Sequence, residues 1–225
     1  AGVKRAVMTS SFAAIGYGWG DARPASLDET HWSNPDNLKD NTAYTRSKAI
    51  AEKAAWDYVK GDGQGLELAT INPVAVLGPA MSGDVSASLE LVTQPMENKV
   101  PAFPKLTFGI VDVRDVALAH VAAMEKPEAA GERFIVGDKV LSFTEIGDVL
   151  REAYPDRKLP KGELPNWLVR MLTVINPTLK QIVPELGKRR AYSNEKARSQ
   201  LGLDFIPAKE AILASTNSLI ELGEL

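Results

Sequence analysis

Short apolar runs and amphipathic stretches alternate along the first third of the chain. Ala6-Val7-Met8, behind Lys4-Arg5 and ahead of Thr9-Ser10-Ser11, predicts a short buried strand over Lys4 to Ser11 that ends in hydroxyls. Asn41 to Lys60 lacks Pro and Gly and is rich in Ala from Ala49 onward, which predicts a helix. Gly61-Asp62-Gly63-Gln64-Gly65 reads as its stop and turn. Leu66 to Asn72 is a second apolar strand, running into Asn72-Pro73-Val74-Ala75-Val76-Leu77-Gly78-Pro79. Strand, helix and strand make a βαβ unit with a right-handed crossover, so both strand ends open on one edge with the helix between them. Phe12 to Lys39 is loop-rich, with Gly16, Gly18, Gly20, Pro24 and Pro35 among Tyr17, Trp19 and Trp32. This is an α/β pattern with a parallel sheet.

From Met81 the rhythm loosens. Ser86 to Met96 predicts a helix, Pro101 to Thr107 a loop and Phe108 to Val113 a strand. Arg114 to Glu125 predicts a helix with Val116, Ala117, His120, Val121 and Met124 at core spacing, which makes His120 a packed or capping side chain. Glu132 to Val136 predicts a strand, and Ser142 with Glu145 has capping-box spacing for a helix to about Tyr154. Leu164 to Leu172, Asn194 to Leu201 and Ala208 to Leu222 are further helix candidates, and Lys188-Arg189-Arg190 reads as a solvated face. Residues 1–80 are the sheet-building part; 81–225 are mostly a second, smaller α/β part that returns some segments to the sheet.

Composition narrows the classes. A net charge of −3 over 225 residues argues against a nucleic-acid or membrane-surface binder. The absence of Cys excludes disulfides and thiolate metal sites, and fits a reducing cytoplasm. No apolar run reaches the roughly 18 to 20 residues of a membrane span. Two histidines, His31 and His120, are too few for a His-rich metal centre, and no metal site is expected.

The candidate chemistry sits at Tyr44-Thr45-Arg46-Ser47-Lys48. Tyr44 and Lys48 fall about one turn apart on one helix face. A phenol alone is a poor acid at neutral pH, and an ammonium one turn away favours its anion. Thr9, Ser10 and Ser11 stand at the carboxyl end of a parallel strand, where ligands bind in such sheets. Gly16-Tyr17-Gly18-Trp19-Gly20 looks like a nucleotide loop but is followed by a charged, Pro-broken stretch and no helix, so it fails the context for one.

Taken in order, Thr9-Ser10-Ser11, Tyr44-x-x-x-Lys48 and Asn72-Pro73-x-x-Val76-x-Gly78-Pro79 resemble the extended short-chain dehydrogenase/reductases. The resemblance is greatest to the dihydroflavonol reductase and cinnamoyl-CoA reductase branch, which Leu27-Asp28-Glu29-Thr30-x-Trp32 and Val111-Asp112-Val113-Arg114-Asp115-Val116-Ala117-x-Ala119-His120 also resemble. The resemblance implies a Rossmann-like doubly wound sheet and reduction of a small-molecule aldehyde or ketone with NADP or NAD, NADPH being favoured. It implies Tyr44 as the general acid, Lys48 as its tuner and a ligand of the nicotinamide ribose, and Ser11 as the group that polarises the carbonyl, with Ser10 one register away. Pro73, Val74, Ala75 and Val76 would contact the nicotinamide end, and Ser88 a cofactor phosphate. It further implies a monomer or homodimer in the cytoplasm, with a substrate-binding part after Pro79.

Two departures qualify it. No G-x-x-G-x-x-G stretch for a pyrophosphate is found, and the chain begins at what resembles the family's fourth strand, so it reads as the carboxyl-terminal two thirds of such an enzyme, its sheet incomplete and its isolated activity expected to be small. Asn41-Thr42-Ala43-Tyr44 also lacks the Asn-Trp-Tyr of the cinnamoyl-CoA branch, which speaks against a CoA thioester. Nucleotide-sugar epimerases and dehydratases are the rival class, and a cofactor-free binding module the third. Val76-Leu77-Gly78-Pro79, without the aromatic of a V-Y-G-P run, favours the reductase. Trp19, Trp32, Met81, Phe103 and Phe108 are the large apolar residues expected to line an uncharged substrate pocket.

Overall fold

The computed structural model describes residues 2–63, 65–83 and 86–225; Gln64 of the expected glycine turn lies outside the described residues. The elements run β1 (Arg5–Thr9), α1 (Ala43–Lys60), β2 (Glu67–Pro73), β3 (Ala75–Leu77), α2 (Glu90–Met96), β4 (Phe103–Pro104), β5 (Thr107–Asp112), α3 (Val113–Glu125), β6 (Arg133–Val136), β7 (Lys139–Ser142), α4 (Phe143–Ala153), β8 (Glu163–Leu164), α5 (Asn166–Leu172) and α6 (Ala208–Glu221). They form two compact units. The first is Ala1–Val74, Arg114–Gly137 and Arg190–Phe205; the second is Ala75–Val113, Asp138–Arg189 and Ile206–Leu225. The break falls at Val74 rather than at residue 80, because β2 ends one sheet at Pro73 and Ala75 already begins a strand of another. Among the described residues no helix is long and apolar enough to cross a membrane.

The first unit is built on a parallel sheet of order β1-β2-β6. Its central strand, β2, buries every residue from Leu68 to Pro73, as a strand covered on both faces must. Helix α1 begins at Ala43, after the expected start at Asn41, because Thr42 is its N-cap and forms a reciprocal capping box with Thr45 (Thr45 N to Thr42 Oγ1 3.2 Å, Thr42 N to Thr45 Oγ1 2.9 Å). It ends where expected, at Gly61, whose amide donates to the Asp57 and Tyr58 carbonyls. Its buried face is Thr45, Ala49 and Glu52.

Helix α3 corrects one expectation. Its buried face is Asp115, Val116, Ala119 and Ala123, while Val121 and Met124 are 46% and 59% exposed. The small alanines let the helix approach closely, and Arg5 Nη1 holds its end by donating to the carbonyls of Ala123, Met124 and Lys126 (3.0, 3.2 and 2.6 Å). His120 is a packed residue, as expected. Its Nδ1 donates to the Val116 carbonyl (2.7 Å), so Nε2 accepts from the Thr9 hydroxyl (2.6 Å).

The outer edge of β6 is closed by the loop after Pro24. Leu27 bridges to Tyr192, and the Ile135 amide donates to Glu29 Oε1 (2.9 Å). Arg133 Nη1 donates to the carbonyls of Glu29 and His31 (2.8 and 2.7 Å). An edge strand with unpaired amides invites foreign pairing, and here side chains occupy it.

The second unit holds the mixed sheet β3-β5-β7, in which β5 and β7 are antiparallel, and a two-stranded parallel ladder β4-β8. Phe103, Ile110, Ile146, Leu150, Ile212 and Leu219 are fully buried in its core. Helix α4 starts at the predicted capping box: the Ser142 amide donates to Glu145 Oε2 (2.6 Å), and that bond holds the Glu145 carboxyl below its ordinary value. The expected helix from Leu164 is divided by Pro165 into β8 and α5. Asn194 to Leu201 is helical from Glu195, as a short α-helical start followed by a π-helical turn over Ala197–Leu201, stopped by Gly202 in the left-handed region (φ 72°).

Burial pushes the Glu29 carboxyl above its ordinary value of 4.5, against the Ile135 amide, which favours the anion. A raised folded-state value means that Glu29 contributes its stability below pH 4.5 and loses it as pH climbs through the raised value. Glu29→Gln keeps an acceptor for the Ile135 amide and cannot ionise. Its melting temperature relative to the parent is therefore expected to improve from pH 4.5 toward neutrality. Parallel pH profiles of the two proteins would contradict this.

Candidate active site

Two adjacent serines at the end of β1 have different fates. Ser10 is buried, and its hydroxyl donates to the Glu52 carboxylate. Ser11 is half-buried and caps the 3₁₀ turn Phe12–Ala14, its Oγ accepting from the Ala13 amide (3.1 Å). The Ser11 hydroxyl proton has no acceptor among the described residues. Alternation along an extended backbone sends neighbouring side chains to opposite faces, so only one of the pair can face the interior.

Helix α1 packs on that 3₁₀ turn. Tyr44, in its first turn, is 59% exposed. Lys48 is half-buried, with Nζ 5.8 Å from the Tyr44 ring centroid. Neither side chain makes a hydrogen bond or ion pair with another described residue. Pro73 is buried at the end of β2, and the Val74 amide donates to the Val136 carbonyl (3.2 Å). Ser11, Tyr44, Lys48, Pro73 and Val74 thus belong to the first unit. Ala75 and Val76, on β3, and Ser88, half-buried in the turn before α2, belong to the second.

The free phenol, free ammonium and free hydroxyl fit the ribose and carboxamide end of a nicotinamide dinucleotide, which needs neutral and cationic donors beside a strand end. The glycine loop has another use. The Gly18 and Gly20 amides donate to Asp40 Oδ2 (3.1 and 3.3 Å), so a carboxylate of the chain itself fills that cradle. Gly18 adopts φ +81°, and a Cβ there would lie 2.1 Å from the Asn34 carbonyl oxygen.

Residues missed in the sequence surround these. Arg190 is not on a solvated face: it is 7% exposed, donates to Asp40 Oδ1 (3.0 Å) and the Gly16 carbonyl (2.5 Å), and lies 4.0 Å from the Tyr17 ring centre. Glu52 is fully buried against Arg133 (2.6 Å). Its only sequence signal is a charge in the stripe of Thr45 and Ala49. The expected pocket aromatics are dispersed. Phe103 and Phe108 pack on Phe143 in the second core (4.9 and 5.8 Å), since β4 and β5 turn them inward. Trp32 covers the Arg133 guanidinium (3.7 Å), and Trp19 Nε1 donates to the Ile15 carbonyl (2.9 Å). Met81 is 97% exposed.

A parallel sheet with a helix crossing between β1 and β2 defines a Rossmann-like α/β protein. Residues 1–137 match the NAD dependent epimerase/dehydratase family. The chain belongs to that family. Cinnamoyl-CoA reductase 1 of Petunia hybrida is 32% identical over 226 aligned positions, covering 100% of this chain and 62% of the relative. A putative NADPH-dependent methylglyoxal reductase of Candida albicans is 33% identical over 232, covering 97% of this chain and 63% of the relative. Among solved structures, yeast methylglyoxal/isovaleraldehyde reductase Gre2 complexed with NADPH superposes with a TM-score of 0.75 at 28% identity, over 99% of this chain and 66% of that one. The chain therefore spans a little over three fifths of the length of these curated relatives. They agree with the cinnamoyl-CoA reductase-like branch that the motifs resemble.

Arg190→Ala removes the guanidinium paired with the Asp40 carboxylate, which is 3% exposed. Removing one partner of a buried pair typically costs about 3–5 kcal/mol. A drop of that size is expected in urea unfolding; a loss typical of surface pairs, under about 1 kcal/mol, would mean the Gly16–Gly20 loop is anchored otherwise.

Proposed function

We propose that the chain carries the carbonyl-handling part of an NADPH-dependent reductase acting on aldehydes or ketones. One observation carries this reading: Ser11 after β1, and Tyr44 and Lys48 on the helix that packs on the turn Ser11 caps, keep their donors unspent among the described residues, while neighbouring Ser10 is committed to the interior. The relatives named as NADPH-dependent or NADPH-bound reductases support both the reaction and the choice of cofactor.

Bound NADPH would supply a hydride to the carbonyl carbon. The chain's own residues manage the oxygen. Ser11 donates to the carbonyl oxygen and stabilises the negative charge that grows there. Tyr44 delivers the proton to that oxygen. Lys48 places a cation beside the phenolate left behind and holds the nicotinamide ribose. Pro73, Val74, Ala75 and Val76 offer an apolar wall to the nicotinamide, and Ser88 a hydroxyl to a phosphate. The substrate is a small carbonyl compound rather than a CoA thioester, as Asn41-Thr42-Ala43-Tyr44 suggests. The absence of Cys supports a cytoplasmic setting, with a monomer or homodimer as the working form.

The test uses these 225 residues joined behind a Gly-rich nucleotide-binding segment, with NADPH oxidation followed for benzaldehyde-like, short aliphatic and nucleotide-sugar substrates. The aldehydes are expected to be preferred; preference for the nucleotide sugar moves the protein to the epimerase/dehydratase class. Tyr44→Phe is expected to lower kcat by about 10² to 10⁴ with KM little changed. Ser11→Ala should lower kcat in the same assay, by about 10² or more. A Tyr44→Phe enzyme with kcat within about threefold of the parent would remove Tyr44 from the acid's role.

A further inference from the structure

The helix that carries Tyr44 and Lys48 is tied to the segment from β1 into Ser11 by one buried charge. Glu52 has no exposed surface, and it follows Lys48 by one turn and Tyr44 by two, so the stripe 44, 48, 52 runs from solvent into the interior. Its Oε2 accepts from Ser10 Oγ and from Asn72 Nδ2 (2.6 Å). Its Oε1 accepts from Arg133 Nε (2.6 Å) and lies within hydrogen-bond reach of Thr70 Oγ1 (3.2 Å) and Trp56 Nε1 (3.3 Å). Ser10 follows β1, Thr70 and Asn72 lie on β2, and Arg133 on β6, so every strand of this sheet converges on one carboxylate. Asn72 Nδ2 also donates to the Ser11 carbonyl (3.1 Å). One side chain therefore separates Glu52 from the Ser11 backbone.

Volume alone does not account for this arrangement. A core position filled for packing would take an apolar side chain, and burying a carboxylate is costly unless donors meet it. Here donors meet both oxygens. An amide in the same place would turn its own N–H groups toward donors on one side. Among the described residues Glu52 is the carboxylate that Arg133 pairs with: Nη1 is committed to the Glu29 and His31 carbonyls, Trp32 covers the guanidinium face, and Nη2 is buried without a partner.

We propose that Glu52 is the positioning residue that sets Ser11 against Tyr44 and Lys48, acting through Ser10, Asn72 and the α1 backbone. It touches no reacting atom. Its importance for catalysis rests on the reductase reading above; the placement itself does not.

The placement is tested on the ¹⁵N-labelled 225-residue chain by the amide resonances of Ser11 and Lys48. Glu52→Gln is expected to displace both, and Asn72→Ala to displace that of Ser11. Ile135→Val, a core variant of the same sheet, should leave both in place. Unmoved resonances in folded Glu52→Gln overturn the proposal. If Glu52→Gln does not fold, Asn72→Ala, which keeps the Glu52–Arg133 pair, decides on the Ser11 resonance alone. The catalytic arm uses the joined polypeptide: Glu52→Gln or Asn72→Ala is expected to lower kcat about tenfold or more at unchanged aldehyde KM, the signature of misplaced reacting groups, while Ile135→Val does not. Displaced resonances with kcat equal to that of the Ile135→Val control overturn the link to catalysis. A parent polypeptide without turnover sinks the reductase reading, and the two resonances then decide the placement independently.

Discussion

A carboxylate cannot sit in a protein interior unless the interior is arranged around it. Glu52 has no exposed surface, and the three strands of the first sheet each bring it a donor or lead directly into one. This demand is more exacting than apolar packing. Leu68, Ile71 and Ile135 could exchange with residues of similar volume at modest cost. The convergence on Glu52 requires β1, β2 and β6 in one register and α1 at one rotation about its axis. The parallel pairing Val7↔Ala69 and Ile71↔Phe134 states that register in backbone terms. The side-chain network states it again in charge.

The same device recurs at the loops. Phe12 to Lys39 has little regular structure, so its backbone amides and carbonyls need partners from outside a ladder. Charged side chains supply them: Asp40 takes the Gly18 and Gly20 amides, Arg190 the Gly16 carbonyl, and Arg133 the Glu29 and His31 carbonyls. Each of those charges is in turn neutralised, Asp40 by Arg190 and Arg133 by Glu52. The loop is therefore held by two buried ion pairs reached from distant parts of the sequence. Long loops in compact domains commonly border functional sites, and here the anchoring leaves Ser11 and the 3₁₀ turn after it in one defined place.

What the sequence made legible was local. The alternation of Ala6-Val7-Met8, Asn41 to Lys60 and Leu66 to Asn72 gave β1, α1 and β2, because period and breaker residues act within a few positions. The Ser142–Glu145 capping box is equally local. What it concealed was long-range. Arg190 stands next to Lys188 and Arg189 and looks solvated, yet its partner lies 150 residues away. Glu52 looks like one more charge on a helix until Arg133, 81 residues on, is brought beside it. Val121 and Met124 have the spacing of a core face, but Ala119 and Ala123 won that face because small side chains allow closer approach. Phe103 and Phe108 have the size and apolarity of pocket residues, but neither property says which way a side chain faces, and both rings pack on Phe143.

The pair Ser10 and Ser11 shows how scaffold and site can be told apart when motifs alone do not separate them. Both hydroxyls stand at the carboxyl end of a parallel strand, and either matches a strand-end serine by position. A buried hydroxyl must find an acceptor, and Ser10 finds Glu52. Ser11 is free of that demand because it faces away, and its Oγ accepts from an amide without using its proton. The distinction extends to the helix. Glu52 and Trp56 are engaged inward, whereas Lys48 and Tyr44, nearer the amino end, make no side-chain hydrogen bond or ion pair among the described residues. Satisfied groups build the frame, and a polar group kept unsatisfied within reach of solvent is available for chemistry. By that criterion the proposed site parts from the frame on α1 between Lys48 and Glu52, and after β1 between Ser10 and Ser11.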